Sequence, residues 1–597
     1  GWLRLMADRP IFSYAEVPYR FKSFEEIARD PRNSLRFDDG LDARLRARSD
    51  ALGGDGRLRL NAKGRPEMVT LLEKLLVPAL AKVANLVPEG GIWMNTQRPE
   101  WNDANNALAG HGLSMVTLYQ LRDYADWCLR FVETLESDRV SLSSAIAVWC
   151  EETNGALVRS LEDLSESEPV DDTRRWAMVS GLGGIAERAR DALKEHGLGE
   201  PGRIELSTLA DFFRLTRHLC DHSIERARRD DGLYESYRVM HIGEGRAGVE
   251  RLAPMLEGQV SVLAAGVLDE RQSIELLDAL FDSELYREDQ QTFILYPRVD
   301  LPPLSERNRA DEQTVLDSPV LAAALQLGET RLVVRDADGA IRFNADLTSR
   351  DALRERLDEL GEHEPWTELI AEDAGRAWQA YERTFRHARF TGRSGTMHKY
   401  EGLGSVYWHM VSKLMLAVQE TVLRAADRGA PRDQIDTLLA RYRRVRDGLG
   451  FRKSPREFGA VPFEPYSHTP WSRGAQQPGM TGQVKEGVLA RAAEMGVRLS
   501  AGTLRFDPTL IDPDELLRED APLAHADDPT PAGAIGCTVC GVPITVAMGE
   551  HDRIVATLAD GQTESIDGPE LPKPLAESIF RRDGRVLRLD VTLIGNG

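Results

Sequence analysis

Three segments of this 597-residue chain concentrate the side chains that could carry out chemistry, and a helical pattern follows each of them. They are residues 91–112, 391–410 and 459–486. Each combines Trp or Tyr with carboxylates, amides, Arg or His in a Gly- or Pro-containing loop. Aromatic faces stack on the apolar C–H surfaces of sugar rings, while amide, guanidinium and carboxylate groups hydrogen-bond sugar hydroxyls. The residue types therefore predict a binding site for a neutral saccharide.

The first segment, GIWMNTQRPEWNDANNALAGHG, contains a candidate general acid. A carboxylate beside aromatic bulk has its pKa raised by desolvation and can hold a proton for donation. Asp103 follows Trp101 closely and is the predicted acid, and Glu100 is a second catalytic candidate. The alternative is that the Asn and Asp side chains only cap the next helix. The residues predicted to bind substrate in this segment are Trp93, Asn95, Arg98, Trp101, Asn105 and Asn106.

The second and third segments contain candidates for a general base. Glu401 lies just ahead of a predicted helix, and Glu486 lies in the first turn of another. The positive end of a helix dipole favours the ionised carboxylate, which suits a base, and Glu401 is preferred over Glu486. Both residues equally fit a structural role at a helix N-terminus. The predicted substrate-binding residues here are Tyr400, Trp408, His409, His468, Trp471, Gln476 and Gln477.

Long helical patterns must position these segments. Apolar residues recur near a 3.6-residue period, and the stretches are rich in Ala, Leu, Arg and Glu, which favours helix. An α/α toroid presents its loops at one end, where they converge on a pocket, so the fold class predicted is mainly α, a toroid-like helical barrel. The predicted helices begin near 66 and then cover 113–135, 139–164, 172–197, 206–229, 246–265, 270–283, 350–359, 364–388, 404–427, 432–447 and 483–495.

Breaks in the helical pattern predict the domain organisation. A strand at 291–300 and a hairpin at 330–345, turning at Asp338-Gly339, predict a β-hairpin insertion near 290–345. Short β-type runs near the C-terminus predict an all-β module there. The predicted divisions are an irregular N-terminal segment at 1–60, a catalytic barrel at 61–514, a linker at 515–532 and a β-sandwich-like module at 533–597.

Composition excludes several classes of protein. A hydrophobic fraction of 42% excludes a disordered chain. A formal net charge of −21 disfavours binding to nucleic acid or to anionic membranes, and no apolar run is long enough to span a bilayer. We find no signal peptide, which favours the cytoplasm, although residue 1 is Gly and the N-terminus looks processed or truncated.

Metal and cofactor motifs are also missing from the sequence. There is no GxSxG, HExxH or Walker A pattern. Cys537 and Cys540 form a single CxxC pair with only His551 nearby, too few ligands for a zinc site. The prediction is an enzyme or binding protein that uses no metal and no cofactor.

The stretch EWNDANN (100–106), together with Gly110, resembles the DWND-type motif of inverting glycoside phosphorylases such as cellobiose phosphorylase and the phosphorylase-like part of cyclic glucan synthases. The sequence YWHM at 407–410 is loosely similar to motifs of other (α/α)6 glycosidases. The resemblance implies an (α/α)6 barrel with flanking β domains, and it implies that Asp103 is the general acid.

The chain departs from that family in three respects. Glu100 replaces the first Asp of the motif, and the Gly-Trp-Thr phosphate loop is not found in the sequence. The motif comes near residue 100 instead of mid-chain, which predicts that part of the barrel lies on a missing N-terminal segment or on a partner chain. Because the phosphate loop is not found, hydrolysis is favoured over phosphorolysis.

Three hypotheses follow. The first is an inverting glycoside hydrolase of an oligo- or polysaccharide, in which an acid and a base about 6.5–9.5 Å apart flank the bond. The second is an inverting glycoside phosphorylase, in which Arg473, His468 and Thr481 bind phosphate in place of the base. The third is a helical scaffold that binds carbohydrate without turnover.

Overall fold

Helices form most of the ordered framework. The computed structural model describes residues 2–61, 63–95, 108–164, 168–297, 304–385, 406–450, 453, 468–469, 483–500, 502–523 and 529–595. Within these residues no helix is both long and apolar enough to cross a membrane. The mainly helical character agrees with the sequence prediction.

The α-helices of the described residues are α1 Trp2–Met6, α2 Phe24–Arg29, α3 Asp39–Leu52, α4 Leu71–Val83, α5 Met115–Glu133, α6 Ser144–Asp163, α7 Asp172–His196, α8 Leu206–Glu225, α9 Leu256–Ala264, α10 Glu270–Asp282, α11 Leu304–Arg307, α12 Glu312–Leu316, α13 Pro319–Leu327, α14 Arg350–Gly361, α15 Trp366–Phe385, α16 Trp408–Asp427, α17 Arg432–Asp447, α18 Gln483–Glu494 and α19 Lys573–Arg581.

The β-strands are β1 Tyr19–Phe21, β2 Leu35–Phe37, β3 Leu86–Val87, β4 Gly91–Trp93, β5 Gly112–Ser114, β6 Arg139–Ser143, β7 Pro201–Glu205, β8 Tyr237–Gly243, β9 Arg246–Arg251, β10 Tyr286–Arg287, β11 Thr292–Phe293, β12 Val333–Arg335, β13 Ile341–Phe343, β14 Val406–Tyr407, β15 His468–Thr469, β16 Val497–Ser500, β17 Thr503–Phe506, β18 Ala534–Val539, β19 Val542–Gly549, β20 Arg553–Leu558, β21 Thr563–Asp567 and β22 Val586–Ile594.

The largest core lies between the long helices. Helix α5 packs on α8 and α9, α9 packs on α16, and α16 packs on α17 and α18. Their apolar stripes form one cluster in which Tyr119, Phe212, Trp408 and Tyr442 are among the largest fully buried side chains. This arrangement is consistent with stacked helical layers, and the closed barrel remains a prediction.

The N-terminal 60 residues are more regular than the sequence predicts. Helix α3 begins after Asp38, whose carboxylate accepts a hydrogen bond from the Leu41 N–H, and it buries Leu41 and Leu45. Only two of its residues are buried, so its apolar stripe is too narrow to recognise among Asp and Arg residues. Helix α2 has a full capping box between Ser23 and Glu26.

Another prediction is wrong at 246–265, where the sequence indicates one helix. Residues Arg246–Arg251 instead form strand β9, which pairs with β8 across a turn. Glu244 and Gly245 both have positive φ in that turn, as a two-residue hairpin requires. Helix α9 begins only after Pro254, because proline and its preceding residue disfavour continuation of a helix.

A five-stranded antiparallel sheet holds both ends of the first polar-aromatic segment. Its strand order is β3-β4-β5-β8-β9, and the segment connects β4 to β5. Leu113 of β5 pairs in turn with Arg238 of β8. Residues 94–111 therefore connect two neighbouring strands of one sheet.

Residues 304–385 form a unit with a core of its own. Helices α12 to α15 and the hairpin β12–β13 surround the buried side chains of this core. The Asp373 carboxylate of α15 accepts hydrogen bonds from the Ser318 hydroxyl (2.6 Å) and the Val320 N–H (3.2 Å), which fixes α13 against α15. The insertion is thus mostly helical, and the predicted hairpin is one part of it.

The C-terminal residues contain one mixed sheet and a helix. The strand order is β18-β19-β22-β20-β21, with β19 and β22 parallel and the other pairs antiparallel. Helix α19 packs its apolar face, including Leu575 and Ile579, into the same core. The expectation of an all-β, sandwich-like module at 533–597 is therefore wrong, because helix α19 and the hairpin β16–β17, which precedes residue 533, both pack into this core.

Candidate active site

The second and third segments meet at a short strand pair. Strand β14 precedes helix α16 directly, and it pairs with β15 so that Tyr407 lies opposite His468 and Val406 opposite Thr469. Helix α18, which follows the third segment, packs on α16, and the Gln419 side-chain amide donates to the Ala490 carbonyl at 2.9 Å. Helices α16 and α18 are consequently neighbours.

Glu486 and His409 are close enough to interact electrostatically at this place. Glu486 lies in the first turn of α18 and is 3% exposed. Burial lowers the pKa of the His409 imidazole, the charge of Glu486 acts against that effect, and Lys413 adds to it. The net shift is downward, so His409 is neutral near pH 7. The Tyr407 ring contacts His409 edge-on, with centroids 5.1 Å apart.

The first segment begins and ends in tightly bonded structure. The Trp93 indole N–H donates to the Gly110 carbonyl at 2.9 Å, and the Gly110 N–H donates to the Met94 carbonyl at 2.6 Å. The Asn95 side-chain amide donates to the Asn85 side-chain oxygen at 2.6 Å. These bonds close the base of the segment that carries the EWNDANN motif.

A turn of the N-terminal region and the insertion both approach this base. The turn containing Arg32 packs directly on Gly110, which has a φ of 95°. Partial burial and the neighbouring guanidinium of Arg350 lower the pKa of Arg32. Arg350 pairs with Glu382 at 2.6 Å and stacks on the Trp378 ring at 4.5 Å. The insertion therefore lies near the end of the first segment.

A cavity of about 180 Å³ lies between α5, α9 and α16. Its polar lining includes Glu257 at the N-terminal end of α9, Gln120 of α5 and Lys413 of α16. The buried Tyr237 hydroxyl donates to the Glu257 carboxylate at 3.0 Å. Helices that follow the first and second segments thus line one cavity, with Met410 close to the start of α16 among its walls.

Sequence reasoning missed Glu257 and Tyr237. The misassigned helix at 246–265 placed Glu257 in a helix interior, whereas it lies in the first turn of α9. The signal that could have found it is Pro254 followed two residues later by an apolar helical run. Further along the same cavity, burial raises the pKa of both Asp123 and Glu420. The charge of Asp126 adds to the rise in the pKa of Asp123, and the charge of Asp123 adds to the rise in the pKa of Glu420.

The predicted site residues have different outcomes. Trp93 is 3% exposed and packs edge-on against Phe24, and Trp408 is fully buried in the main core. Neither ring exposes a face for a sugar, so the structure places both in packing roles. Asn95 is also buried, at the base of the segment, while His409 and Glu486 come together and only the backbone of His468 is described. The remaining candidates, Arg98, Glu100, Trp101, Asp103, Asn105, Asn106, Tyr400, Glu401, Trp471, Gln476 and Gln477, lie outside the described residues.

A metal site is not apparent in the part of the chain that the structure describes. No group of three or more His, Cys, Asp or Glu side chains is arranged there to hold an ion. Burial raises the pKa of the Cys537 thiol to about 11, so the free thiol stays protonated near pH 7.

Comparison with known families connects the insertion to carbohydrate chemistry. A match within it relates the chain to the glycoside hydrolase and phosphorylase families, and so supports a carbohydrate-active enzyme. Residues 301–388 fit the family model of GH149 phosphorylase insertion domain 2. No curated protein sequence matches the chain.

Proposed function

We propose that the protein is an inverting glycoside phosphorylase that acts on an oligo- or polysaccharide. The observation that carries this proposal is the match of residues 301–388 to an insertion domain named for a phosphorylase family. The match coincides with the unit at 304–385 that has its own core. It favours the phosphorylase alternative over the hydrolysis that the sequence alone favours.

In the proposed reaction a phosphate oxygen attacks the anomeric carbon while the glycosidic C–O bond breaks. Asp103 donates its proton to the leaving oxygen, and the products are a sugar 1-phosphate and a saccharide shortened by one unit. Phosphate replaces the activated water, so the reaction needs no general base. Arg473, His468 and Thr481 are the proposed phosphate-binding residues.

The described residues support a site near the N-terminal ends of helices α9, α16 and α18. Helices α5, α9 and α16 share one cavity, and His409 at the start of α16 interacts electrostatically with Glu486 in the first turn of α18. Loops that precede helices converge in this way in an (α/α)6 barrel, which is the architecture that we propose for residues 61–514. The hydrogen-bonding side chains of this cavity, Gln120 and Glu257 among them, suit the hydroxyls of an uncharged saccharide.

Incubating the protein with a panel of α- and β-linked oligosaccharides, with and without inorganic phosphate, tests the proposal. We expect a sugar 1-phosphate to appear only when phosphate is present. In the reverse direction, sugar 1-phosphate and an acceptor saccharide should release phosphate. Free reducing sugar formed equally without phosphate would establish hydrolysis instead, and saccharide binding without any product would indicate a non-catalytic scaffold.

A further inference from the structure

Glu486 is a buried carboxylate whose charge no described side chain neutralises closely. Its Oε1 lies 3.5 Å from the Lys485 ammonium, but the Lys485 side chain is 75% exposed and its charge is screened by water. Its Oε2 is buried and has no hydrogen-bond partner among the described residues. Burying a carboxylate oxygen without a partner is unfavourable, so something must compensate it.

The surroundings provide only part of that compensation. The N-terminal end of α18 carries a partial positive charge, which stabilises a carboxylate in the first turn by roughly 0.3–1 kcal/mol. His409 is neutral because its pKa is lowered, so it supplies no full positive charge. The Glu486 carboxylate therefore still lacks a hydrogen-bond donor, and a bound ligand can supply one.

Glu486 lies close to the proposed ligand site, because its neighbour His409 directly precedes Met410 of the cavity wall. The two substrates of the proposed reaction differ in charge. Saccharide hydroxyls donate hydrogen bonds and carry no charge. Phosphate is an anion, and two negative charges close together in a desolvated place repel strongly. The charge and burial of Glu486 therefore disfavour contact between its carboxylate and phosphate, and they favour contact with a sugar hydroxyl.

We propose that Glu486 is a specificity-determining residue that accepts hydrogen bonds from hydroxyls of the saccharide at the N-terminal end of α18, and that it does not act as a base on water. The inference rests on the proposed function and assigns the sugar-binding side of that site. The phosphate is then a ligand of Arg473, His468 and Thr481 and not of the Glu486 carboxylate itself. His409, next to it, is a neutral neighbour that adds no charge to this sugar-binding corner.

The test compares Glu486→Gln with the unmodified enzyme in phosphorolysis, varying saccharide and phosphate separately. Glu486→Gln keeps the shape and removes the charge. We expect the KM for saccharide to rise about 10- to 100-fold, the scale of a hydrogen bond to a charged group, while the KM for phosphate stays within about twofold. Lys485→Met, which alters only the exposed neighbour of Glu486, is the matched control and should change neither constant.

Three results would overturn the inference. One is an unchanged KM for saccharide, another is a lower KM for phosphate, and the third is a collapse of kcat that added azide restores, since azide replaces a base-activated water. If Glu486→Gln fails to fold, Glu486→Asp keeps the charge but retracts it by one methylene, and it should raise the same KM. Calorimetric titration of the oligosaccharide separates this inference from the proposed function. Equal affinity of the variant and the unmodified protein refutes the role of Glu486, whereas weaker binding without phosphate-dependent product refutes phosphorolysis alone.

Discussion

Replacing Gly110 by Ala should disrupt the base of the segment that carries the EWNDANN motif. A Cβ at this position would lie 2.5 Å from the Cγ of Arg32, 3.0 Å from its backbone N and 3.1 Å from its Cα. The backbone φ of 95° is also a conformation that side chains other than glycine rarely adopt. Strain of this kind costs about 1–3 kcal/mol, and overpacking adds about 1–3 kcal/mol, so the total is about 2–6 kcal/mol.

Hydrogen exchange followed by mass spectrometry measures this effect locally. Amides of residues 108–114 and 30–34 should exchange at least about 30-fold faster in Gly110→Ala, since each 1.4 kcal/mol corresponds to a factor of ten. Gly568→Ala is the matched control. Gly568 has a φ of 97°, and a Cβ there would meet no atom of the described chain within 4 Å, so the control measures the backbone strain alone.

Comparing Gly110→Ala with Gly568→Ala separates the cost of the Arg32 contact from the cost of the positive backbone φ. Local destabilisation in Gly110→Ala should exceed that around residue 568 in the control by about 1–3 kcal/mol, the contribution of the Arg32 contact. Equal effects in the two variants would show that the Arg32 turn does not press on Gly110. Native exchange rates at residues 108–114 in Gly110→Ala would refute the packing of this base altogether.

Three further predictions concern charges. Burial lowers the pKa of His409 in the folded protein, so below pH 7 the imidazole binds more protons in the unfolded chain than in the folded one. The free energy of unfolding should therefore fall from pH 7 to pH 5. Urea midpoints should show a smaller fall over this range in His409→Gln. Arg446→Met removes the closer of the two guanidinium partners of buried Glu494, at 2.5 Å, and leaves Arg491 at 3.0 Å; it should cost about 1.5–3 kcal/mol by urea unfolding, part of which adding Glu494→Gln should restore. Asp103→Asn should lower turnover about 100-fold or more on saccharides with poor leaving groups and much less on aryl glycosides, and equal losses would contradict its role as the acid.

The helical framework is largely predictable from local sequence. Helix α17 is observed at the residues predicted, 432–447, because Pro431 precedes it and its apolar residues form one stripe. Helices α7 and α10 likewise begin after Asp N-caps that the sequence displays. Caps and periodicity act over a few residues, so the information is present in the segment itself.

The site is less predictable because its contacts are distant along the chain. Nothing local to Tyr407 indicates that it pairs with His468, and strand β14 is too short to show a two-residue alternation. Trp93 and Trp408 carry residue types typical of sugar binding, but aromatic rings fill cores equally well, and only packing distinguishes the two uses. The position of Glu257 is not predicted because the polar hairpin at Glu244-Gly245 is not recognised as a turn. Strand β9 and helix α9 are therefore predicted as one helix.

The insertion begins and ends at adjacent points, since the Arg307 guanidinium donates to the Phe385 carbonyl at 3.1 Å. The described host elements on its two sides, strands β11 and β14, are also in contact. Such a unit can be acquired or lost in evolution as a single genetic event, because its own core travels with it. The ancestry of residues 304–385 can therefore differ from that of the helices around them, and lineage comparisons should treat the two parts separately.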